Sequence, residues 1–349
     1  MIATELHVAT LLVLFSCTAI GTRVGLDELS EVLGLYSWQH GGSFPSLLAN
    51  CVGSLLLGFL SASRARLFDA ARLQPLYTAL SVGFCGTLTT FSAWLYDSSW
   101  VLCNRSDARP SFLPHVVDSI GILCLGLVFP CASFLLGKDL AFLVSLDLST
   151  DEDSPNGDDD EEKDHDGLLV ELIRGTAEST PIAAVVVLAM ACVPVAVCLG
   201  VVEEGRALCL AMLLGPLGAL LRWQLSVRLN QLLPDFPVGT FVANVAGTLL
   251  YALMAVAMGL GVEGGLLTPL PHANEGLQRD VGWLFLIFVL TGFCGALTTM
   301  STFVSELFSL SVGARYRYLL VSVLPCYFCL LLINGLYFWM ADRPSVIPL

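Results

Sequence analysis

The chain contains the same twelve-residue segment twice, and this internal repeat constrains its fold more than any other feature. Residues 83–94 read GFCGTLTTFSAW and residues 292–303 read GFCGALTTMSTF, so eight of the twelve positions are identical. A second pair occurs in the same order, with ANCVGSLL from residue 49 and ANVAGTLL from residue 243. A weaker third pair places Arg23 opposite Arg222. The sequence therefore predicts two copies of one structural unit in a single chain.

The chain is also too apolar for a water-soluble protein. Of its 349 residues, 56% are hydrophobic and 13% are charged, and the mean hydropathy is +0.78. A membrane-crossing helix needs about 20 mostly apolar residues, and nine such stretches can be placed. They are residues 6–25, 43–62, 76–99, 112–137, 181–202, 206–227, 236–260, 281–310 and 316–340. These stretches predict an all-α integral membrane protein with nine transmembrane helices.

The position of the ninth stretch predicts the relative orientation of the two copies. Each copy has four stretches, and residues 181–202 lie between the copies. Because this extra crossing makes the second copy enter from the opposite face, the copies are expected to be inverted repeats. The predicted domains are a four-helix repeat at 1–140, an acidic disordered linker at 141–180, the inverting helix at 181–202 and a second four-helix repeat at 203–349.

Charge distribution supports this organisation and predicts a topology. The segment from Asp151 to Asp166 holds ten acidic residues and one lysine, which accounts for most of the net charge of −14 and predicts a disordered linker. Basic residues near the ends of the spans favour a cytosolic N-terminus, a cytosolic linker and an exoplasmic C-terminus. The sequon that begins at Asn104 would then lie on the exoplasmic side.

The repeated motif G-x-L-T-T-x-S predicts a break in the third helix of each copy. A glycine followed by three hydroxyl residues disfavours a continuous helix, and backbone groups freed at membrane depth must find partners or line a cavity. Close packing of small residues is the alternative interpretation of a single motif. Two motifs that meet across an inverted axis favour an ion path. Asn50 and Asn244 lie in apolar helices, where they either line that path or hydrogen-bond between helices.

These motifs together resemble the fluoride channel family called Fluc or CrcB in bacteria and FEX in eukaryotes. The resemblance is carried by TTFSAW, TTMSTF, A-N-x-x-G-S/T and the stretch GPLGALLR ending at Arg222, and it covers the chain outside the linker. It implies a plasma-membrane channel that exports cytosolic fluoride passively, without enzymatic activity, an organic cofactor or a nucleic-acid partner. It also implies a monomer in the lipid bilayer that acts as an internal pseudo-dimer.

The resemblance assigns roles to residues at matching positions. The pore and anion contacts would be Asn50, Phe91, Ser92, Asn244, Ser301, Thr302 and Phe303. Arg23 and Arg222 would lie near the pore mouths, with a structural ion pair as an equal alternative. A structural Na⁺ would be held by the backbone carbonyls of Gly86, Thr89, Gly295 and Thr298.

Two residues depart from the family pattern, which has phenylalanine at both aromatic positions of the motif. The first copy has Trp94 at the second position, and the second copy has Met300 at the first. If each pore takes one aromatic position from each copy, one pore combines Phe91 with Phe303 and the other combines Trp94 with Met300. The sequence therefore suggests one working pore and one vestigial pore.

Two other classes of protein are weighed against a channel. A secondary transporter of a small anion, with or without proton coupling, also uses inverted repeats and broken helices. It would need a membrane-buried carboxylate, for which Asp97, Asp118 and Glu306 are candidates. A membrane enzyme or haem protein is disfavoured, because the five histidines show no ligand spacing.

Overall fold

The computed structural model describes residues 2–34, 44–68, 70, 73–103, 112–150, 205–263 and 289–341, and all regular structure in these ranges is helical. In the first copy, α1 spans Ile2–Val32, α2 spans Ser46–Leu67 and α6 spans Phe112–Thr150. The third span of this copy consists of α3 (Gln74–Thr78), a π-helix (Ala79–Cys85), α4 (Gly86–Leu88) and α5 (Phe91–Cys103).

The second copy repeats this order of elements. Helix α7 spans Gly205–Leu229, α8 spans Val238–Glu263 and α11 spans Val312–Ala341. The described part of its third span comprises a π-helix (Val289–Cys294), α9 (Gly295–Leu297) and α10 (Met300–Ser309). The all-helical class predicted from the sequence is therefore confirmed.

Five of the described helices are long and apolar enough to cross a membrane. These spans are Glu5–Val32, Ser46–Leu67, Phe112–Val144, Val238–Met258 and Val312–Tyr337. Helices α6 and α11 also carry rows of exposed large apolar side chains, which include Leu136, Leu140 and Leu143 on α6 and Leu320, Leu324, Phe328, Leu332 and Leu336 on α11. Apolar surface of this extent marks contact with hydrocarbon, so the chain is a multi-pass membrane protein.

Each third span is broken at the repeated motif, as the sequence predicted. The backbone of Thr89 is extended, with φ −94° and ψ 148°, and that of Thr298 is extended with φ −86° and ψ 152°. A π-helix precedes the break in both copies. This feature was not foreseen from the sequence, although π-helical turns occur frequently at functional sites.

Helix α6 continues past residue 140, where the first repeat was predicted to end, and reaches Thr150. Residues 140–148 read LAFLVSLDL, which contains no proline or glycine and continues the helical pattern. The acidic segment 151–166, the inverting helix 181–202 and Asn104 lie outside the described residues.

Close helix packing brings the two broken spans to the centre of the described part of the chain. Gly53 on α2 lies against the methyl group of Thr89, and Gly247 on α8 lies against the methyl group of Thr298. A Cβ atom at either glycine would overlap that methyl group, so only glycine permits this approach. The second helix of each copy is thereby held directly on the break.

Candidate functional site

An asparagine clamps each helix break. Asn50 accepts a hydrogen bond from the Thr90 amide at 2.8 Å and donates one to the Thr90 carbonyl at 3.0 Å. Asn244 does the same for Thr299, at 2.9 Å and 3.2 Å. Both asparagines are fully buried. Hydrogen bonding between helices is therefore observed for both side chains, and the pore-lining role stays a prediction.

The two breaks cross each other through hydroxyl groups. Thr89 Oγ1 lies 2.9 Å from Ser301 Oγ of the other copy and accepts the Ser301 amide at 3.0 Å. In the reverse direction, Thr298 Oγ1 lies 2.9 Å from Ser92 Oγ and accepts the Ser92 amide at 3.3 Å. The first turn of a helix leaves its amides without partners. Each break thus caps the half-helix that begins in the other copy.

Capping by asparagine changes which carbonyls are free at the breaks. In an unbroken helix the amide of Thr90 would bond to the carbonyl of Gly86, and that of Thr299 to the carbonyl of Gly295. Both amides bond to asparagine instead. The two glycine carbonyls therefore lose their helical partners, and unwound carbonyls of this kind coordinate Na⁺ in membrane transporters.

The predicted phenylalanine pair forms across the copies. The rings of Phe91 and Phe303 lie 5.2 Å apart between centroids at an interplanar angle of 69°, an edge arrangement. Trp94 packs edge-on against Phe91 of its own copy at 5.4 Å, and its Nε1 donates to the Ile122 carbonyl at 3.1 Å. Met300 is fully buried in the same core, where its amide donates to Thr89 Oγ1 at 3.2 Å.

One predicted hydroxyl position differs between the copies. Thr302 Oγ1 lies 3.3 Å from Thr299 Oγ1, whereas Ala93 stands at the matching position of the first copy. Within the described part of the chain, the buried hydroxyls of Ser54 and Ser322 have no hydrogen-bond partner. Buried hydroxyls are usually paired, so these two groups are available to a small polar ligand.

Both arginines are buried and bonded to backbone carbonyls. Arg23 donates from Nη1 to the Thr87 carbonyl at 2.9 Å and from Nη2 to the Thr291 carbonyl. Arg222 donates from Nε to the Ala296 carbonyl at 3.0 Å and from Nη2 to the Val82 carbonyl at 2.8 Å. The structure places both guanidinium groups beside the breaks, while Arg23 also lines a cavity.

That cavity, of about 290 Å³, lies between the end of α1, the start of α2 and the second copy. It is lined by Thr90 and Ala93 near the break and by the acidic residues Asp27, Glu28, Glu31 and Asp97. Of the pore, pore-mouth and Na⁺ residues predicted from the sequence, Arg23 and Gly295 line it, and so does the candidate coupling carboxylate Asp97.

Comparison with known proteins identifies the repeated unit. The sequence profile described as CrcB-like protein, Camphor Resistance (CrcB), matches residues 10–134 and again residues 209–336. The chain belongs to the CrcB family. The two CrcB matches coincide with the two copies found by internal comparison, and each includes one asparagine clamp and one helix break.

The CrcB relatives come from fungi and bacteria. Fluoride export protein 1 of Candida albicans is 32% identical over 277 residues, which is 76% of this chain and 62% of the relative. Fluoride export protein 1 of Saccharomyces cerevisiae is 25% identical over 366 residues, covering 96% of this chain and 94% of the relative. The fluoride-specific ion channel FluC of Chromobacterium violaceum is 43% identical over 93 residues, 27% of this chain and 60% of that protein.

The chain spans less than two thirds of the Candida albicans relative and 64% of the Neurospora crassa one. No solved structure matches this chain. The family is one of fluoride channels and exporters, which are transport proteins and not enzymes.

Each CrcB repeat contains a hydrogen bond between a hydroxyl at the start of its second helix and a carboxylate in its third span, and the sequence analysis did not predict these two bonds. Asp97 Oδ2 accepts a hydrogen bond from Ser46 at 3.1 Å, and Glu306 Oε1 accepts one from Thr240 at 2.6 Å. Each hydroxyl residue precedes its asparagine by four positions, and each acid follows the first glycine of the motif by fourteen. Extending the internal alignment beyond the identical residues would have found both pairs.

Proposed function

We propose that this chain is a passive, fluoride-selective channel that exports cytosolic fluoride. The observation that carries the proposal is the crossed pair of helix breaks, where hydroxyl groups and ring edges meet inside an apolar core. A small anion that sheds water needs such donors. Serine and threonine hydroxyls supply them without the full positive charge that would hold an anion too tightly to leave.

The proposal includes nine membrane helices with the two copies inverted, and two observations support the inversion. The hydrogen bonds are reciprocal, since Thr89 contacts Ser301 and the matching Thr298 contacts Ser92. Reciprocity of this kind is expected of a two-fold axis between equivalent units. In addition, α2 begins beside the cavity at Ser46, whereas its counterpart α8 reaches the same cavity near its end, at Met258.

The proposal includes one working pore and one vestigial pore. Phe91 and Phe303 come from different copies and present an edge-on pair, so their positive ring edges can contact an anion. Trp94 instead contacts Phe91 of its own copy, and its indole nitrogen is occupied by a backbone carbonyl. The thioether of Met300 carries no donor.

A structural Na⁺ is proposed at the backbone carbonyls of Gly86, Thr89, Gly295 and Thr298. The release of the glycine carbonyls by the asparagine clamps supports this donor set. When bound, the ion would supply positive charge between the two breaks. The residues of this chain do the rest, because Asn50 and Asn244 keep the carbonyls out of helical hydrogen bonds.

The location proposed is the plasma membrane, with a cytosolic N-terminus and acidic linker and an exoplasmic C-terminus. Support comes from Arg64 and Arg66 in the last turn of α2 and from Arg315 and Arg317 at the start of α11, which an inverted arrangement puts on one face. Labelling of single cysteines placed beside Arg64 and beside Arg317 in intact cells tests this, because labelling of either from outside contradicts the topology.

The decisive experiment is fluoride efflux from liposomes that contain the purified chain, recorded with a fluoride electrode. Fluoride is expected to leave as soon as its charge is compensated by an ionophore, while chloride efflux stays at the level of empty liposomes. Equal efflux of both ions, or none of fluoride, contradicts the proposal.

A proton-coupled transporter of a small anion is the second candidate, favoured by the partly buried carboxylates of Asp97 and Glu306 at matching positions. Each carboxylate is hydrogen-bonded to a hydroxyl at the start of the second helix. An imposed proton gradient would drive fluoride uphill in this case. Flux that follows only the electrochemical gradient of fluoride excludes coupling.

A further inference from the structure

We propose that Arg23 and Arg222 are crossed staples, positioning residues that fix the two helix breaks relative to one another. Each guanidinium donates to one carbonyl of its own copy and one of the other. Arg23 joins Thr87 to Thr291, and Arg222 joins Ala296 to Val82. Thr87 matches Ala296 and Val82 matches Thr291 in the internal alignment, so the two staples are equivalent.

Each guanidinium group packs against a glycine of the opposite copy. A Cβ atom added at Gly86 would lie 2.8 Å from Cζ of Arg222, and one added at Gly295 would lie 2.8 Å from Cζ of Arg23. Real Cβ atoms do not approach other heavy atoms this closely. A side chain at either position would therefore displace the arginine of the opposite copy, which occupies the space of a Cβ atom.

The burial of the arginines requires this arrangement. Arg23 and Arg222 are 2% and 1% exposed. A buried charge is costly unless its donors are paired, and intramembrane charges pair with one another or with backbone carbonyls. A guanidinium has five donors in a rigid planar fork, which can reach carbonyls on two separate chain segments at once. One ammonium group on a flexible stem cannot hold both segments in a fixed geometry.

The staple also predicts how these charges affect an anion. The donors that are bonded point at carbonyls of the π-helices and of α4 and α9, while Nη1 of Arg222 is buried without a hydrogen-bond partner among the described residues. The bonded donors reduce the attraction that a bare cation would exert on a passing anion. The breaks, with Thr89 and Thr298, are kept in register by the same bonds. The staple is independent of which ion crosses, so a chain that conducts no fluoride would overturn the proposed function and leave the staple testable by stability.

The crosswise pairing can be tested with double-mutant cycles on the full chain. The variants are G86A, R222A and R23A, with the doubles G86A/R222A and G86A/R23A, and the matching set is built around G295A. Two readouts are used, the unfolding temperature in detergent and the fluoride efflux per folded protein.

Each single variant is expected to lose about tenfold in efflux, and G86A/R222A to be no worse than R222A alone, because the overlap disappears with the side chain. The control double G86A/R23A is expected to lose about a hundredfold, the product of two independent losses. The staple is overturned if Gly86 couples to Arg23 of its own copy and not to Arg222.

Lysine variants separate positioning from charge. R23K and R222K keep the positive charge and lose the planar fork, so we expect efflux no higher than in the alanine variants. The fluoride-to-chloride permeability ratio should also fall by at least about threefold, which a mere drop in the amount of folded channel would not change. Wild-type efflux and selectivity in the lysine variants would show that charge alone matters and would overturn the proposal.

A mild variant keeps the test valid if the alanine variants do not fold. Thr87 Oγ1 lies 3.3 Å from Nη2 of Arg222, and alanine stands at the matching position 296. We expect T87A to fold and to lose about twofold in efflux, with no further loss in the R222K background and the full twofold loss in the R23K background. Equal losses in both backgrounds contradict the assignment of Thr87 to the Arg222 staple.

Discussion

Asp97 and Glu306 lie at matching positions in the two copies, and their partly buried carboxylates differ in the number of hydrogen bonds they accept. Glu306 is bonded by Thr240 at 2.6 Å, Tyr318 at 2.7 Å and Asn230 at 3.3 Å. Asp97 has the hydroxyl of Ser46 at 3.1 Å and faces the 290 Å³ cavity. One scaffold therefore supports either a carboxylate held by side chains or one that faces an open cavity.

The difference extends along the first helix of each copy. Asp27, Glu28 and Glu31 line the cavity beside Asp97. With Arg23 aligned to Arg222, their counterparts in the second copy are Ser226, Val227 and Asn230. The Asp97 side is therefore acidic, while the Glu306 side uses Asn230 as a hydrogen-bond donor to its single carboxylate. Divergence of the copies has changed the electrostatics of the two sides and has kept the crossing of the breaks.

Removing each carboxylate should have the largest effect on this comparison. E306A leaves the groups of Thr240, Tyr318 and Asn230 without their acceptor and should lower the free energy of unfolding by about 2–4 kcal/mol. D97A leaves one hydroxyl beside a cavity that can admit water and should cost about 1 kcal/mol. Thermal unfolding in detergent measures both. Equal destabilisation would mean that the two sides are energetically alike.

The aromatic residues give the next largest contrast. F303I removes the ring that contacts Phe91 at 5.2 Å and Tyr318 at 5.1 Å, and fluoride efflux per folded protein should fall about tenfold. W94I should change efflux by less than about threefold, since its pore is proposed to be vestigial. F308I serves as the control, because Phe308 stacks on Phe134 away from the breaks. Equal losses for F303I and W94I would refute the asymmetry.

Removing the hydroxyl group that bonds each carboxylate should give a smaller difference in unfolding free energy between the two copies. T240A removes a hydrogen bond of 2.6 Å to Glu306, and S46A removes one of 3.1 Å to Asp97. Short bonds to carboxylates are the stronger ones, so we expect losses of about 1.5 and 0.5 kcal/mol in unfolding free energy. A larger loss for S46A than for T240A in the same thermal assay would show that water in the cavity does not replace the hydrogen bond of the Ser46 hydroxyl.

Charge in the cavity should have the smallest effect, visible only at low salt. The double variant E28Q/E31Q removes two exposed acidic side chains from the cavity lining. Fluoride efflux should rise about twofold at low ionic strength and be unchanged near 1 M salt, where the Debye length is about 3 Å. The variant E28V/E31N carries the residues of the second copy at these positions and should show the same change in efflux as E28Q/E31Q. A rise that persists at high salt would point to a structural cause.

The breaks could be predicted from the sequence because their cause is local. Glycine and consecutive hydroxyl residues disfavour a continuous helix wherever they occur, and Thr89 and Thr298 are extended as expected. The pairing of Phe91 with Phe303 was implied by the family resemblance, because these residues occupy the two aromatic positions of the motif, one in each copy. The end of α6 was missed because the predicted span stopped where a membrane crossing would, while the helix continues beyond it.

The contacts between copies could not be read from either copy alone. Thr89 and Ser301 are 212 residues apart, and nothing near Thr89 indicates that its hydroxyl caps a helix of the other copy. The arginines illustrate the same limit, because a guanidinium and a glycine carry no mark of partnership until the fold brings them together. Arg23 and Arg222 were predicted at pore mouths from resemblance, and the structure places their guanidinium groups against carbonyls beside the breaks.

The reciprocal capping of α5 and α10 has a consequence for how such a duplicated gene can evolve. A substitution of Thr89 removes the cap from the first turn of α10 in the opposite half. Neither half can therefore change this threonine without destabilising the other. The aligned positions one turn further along do not cap the opposite half, and at one of them the copies differ, with Trp94 in the first and Phe303 in the second. The two halves can therefore diverge at positions outside the reciprocal caps, while the capping threonines that join the halves stay the same.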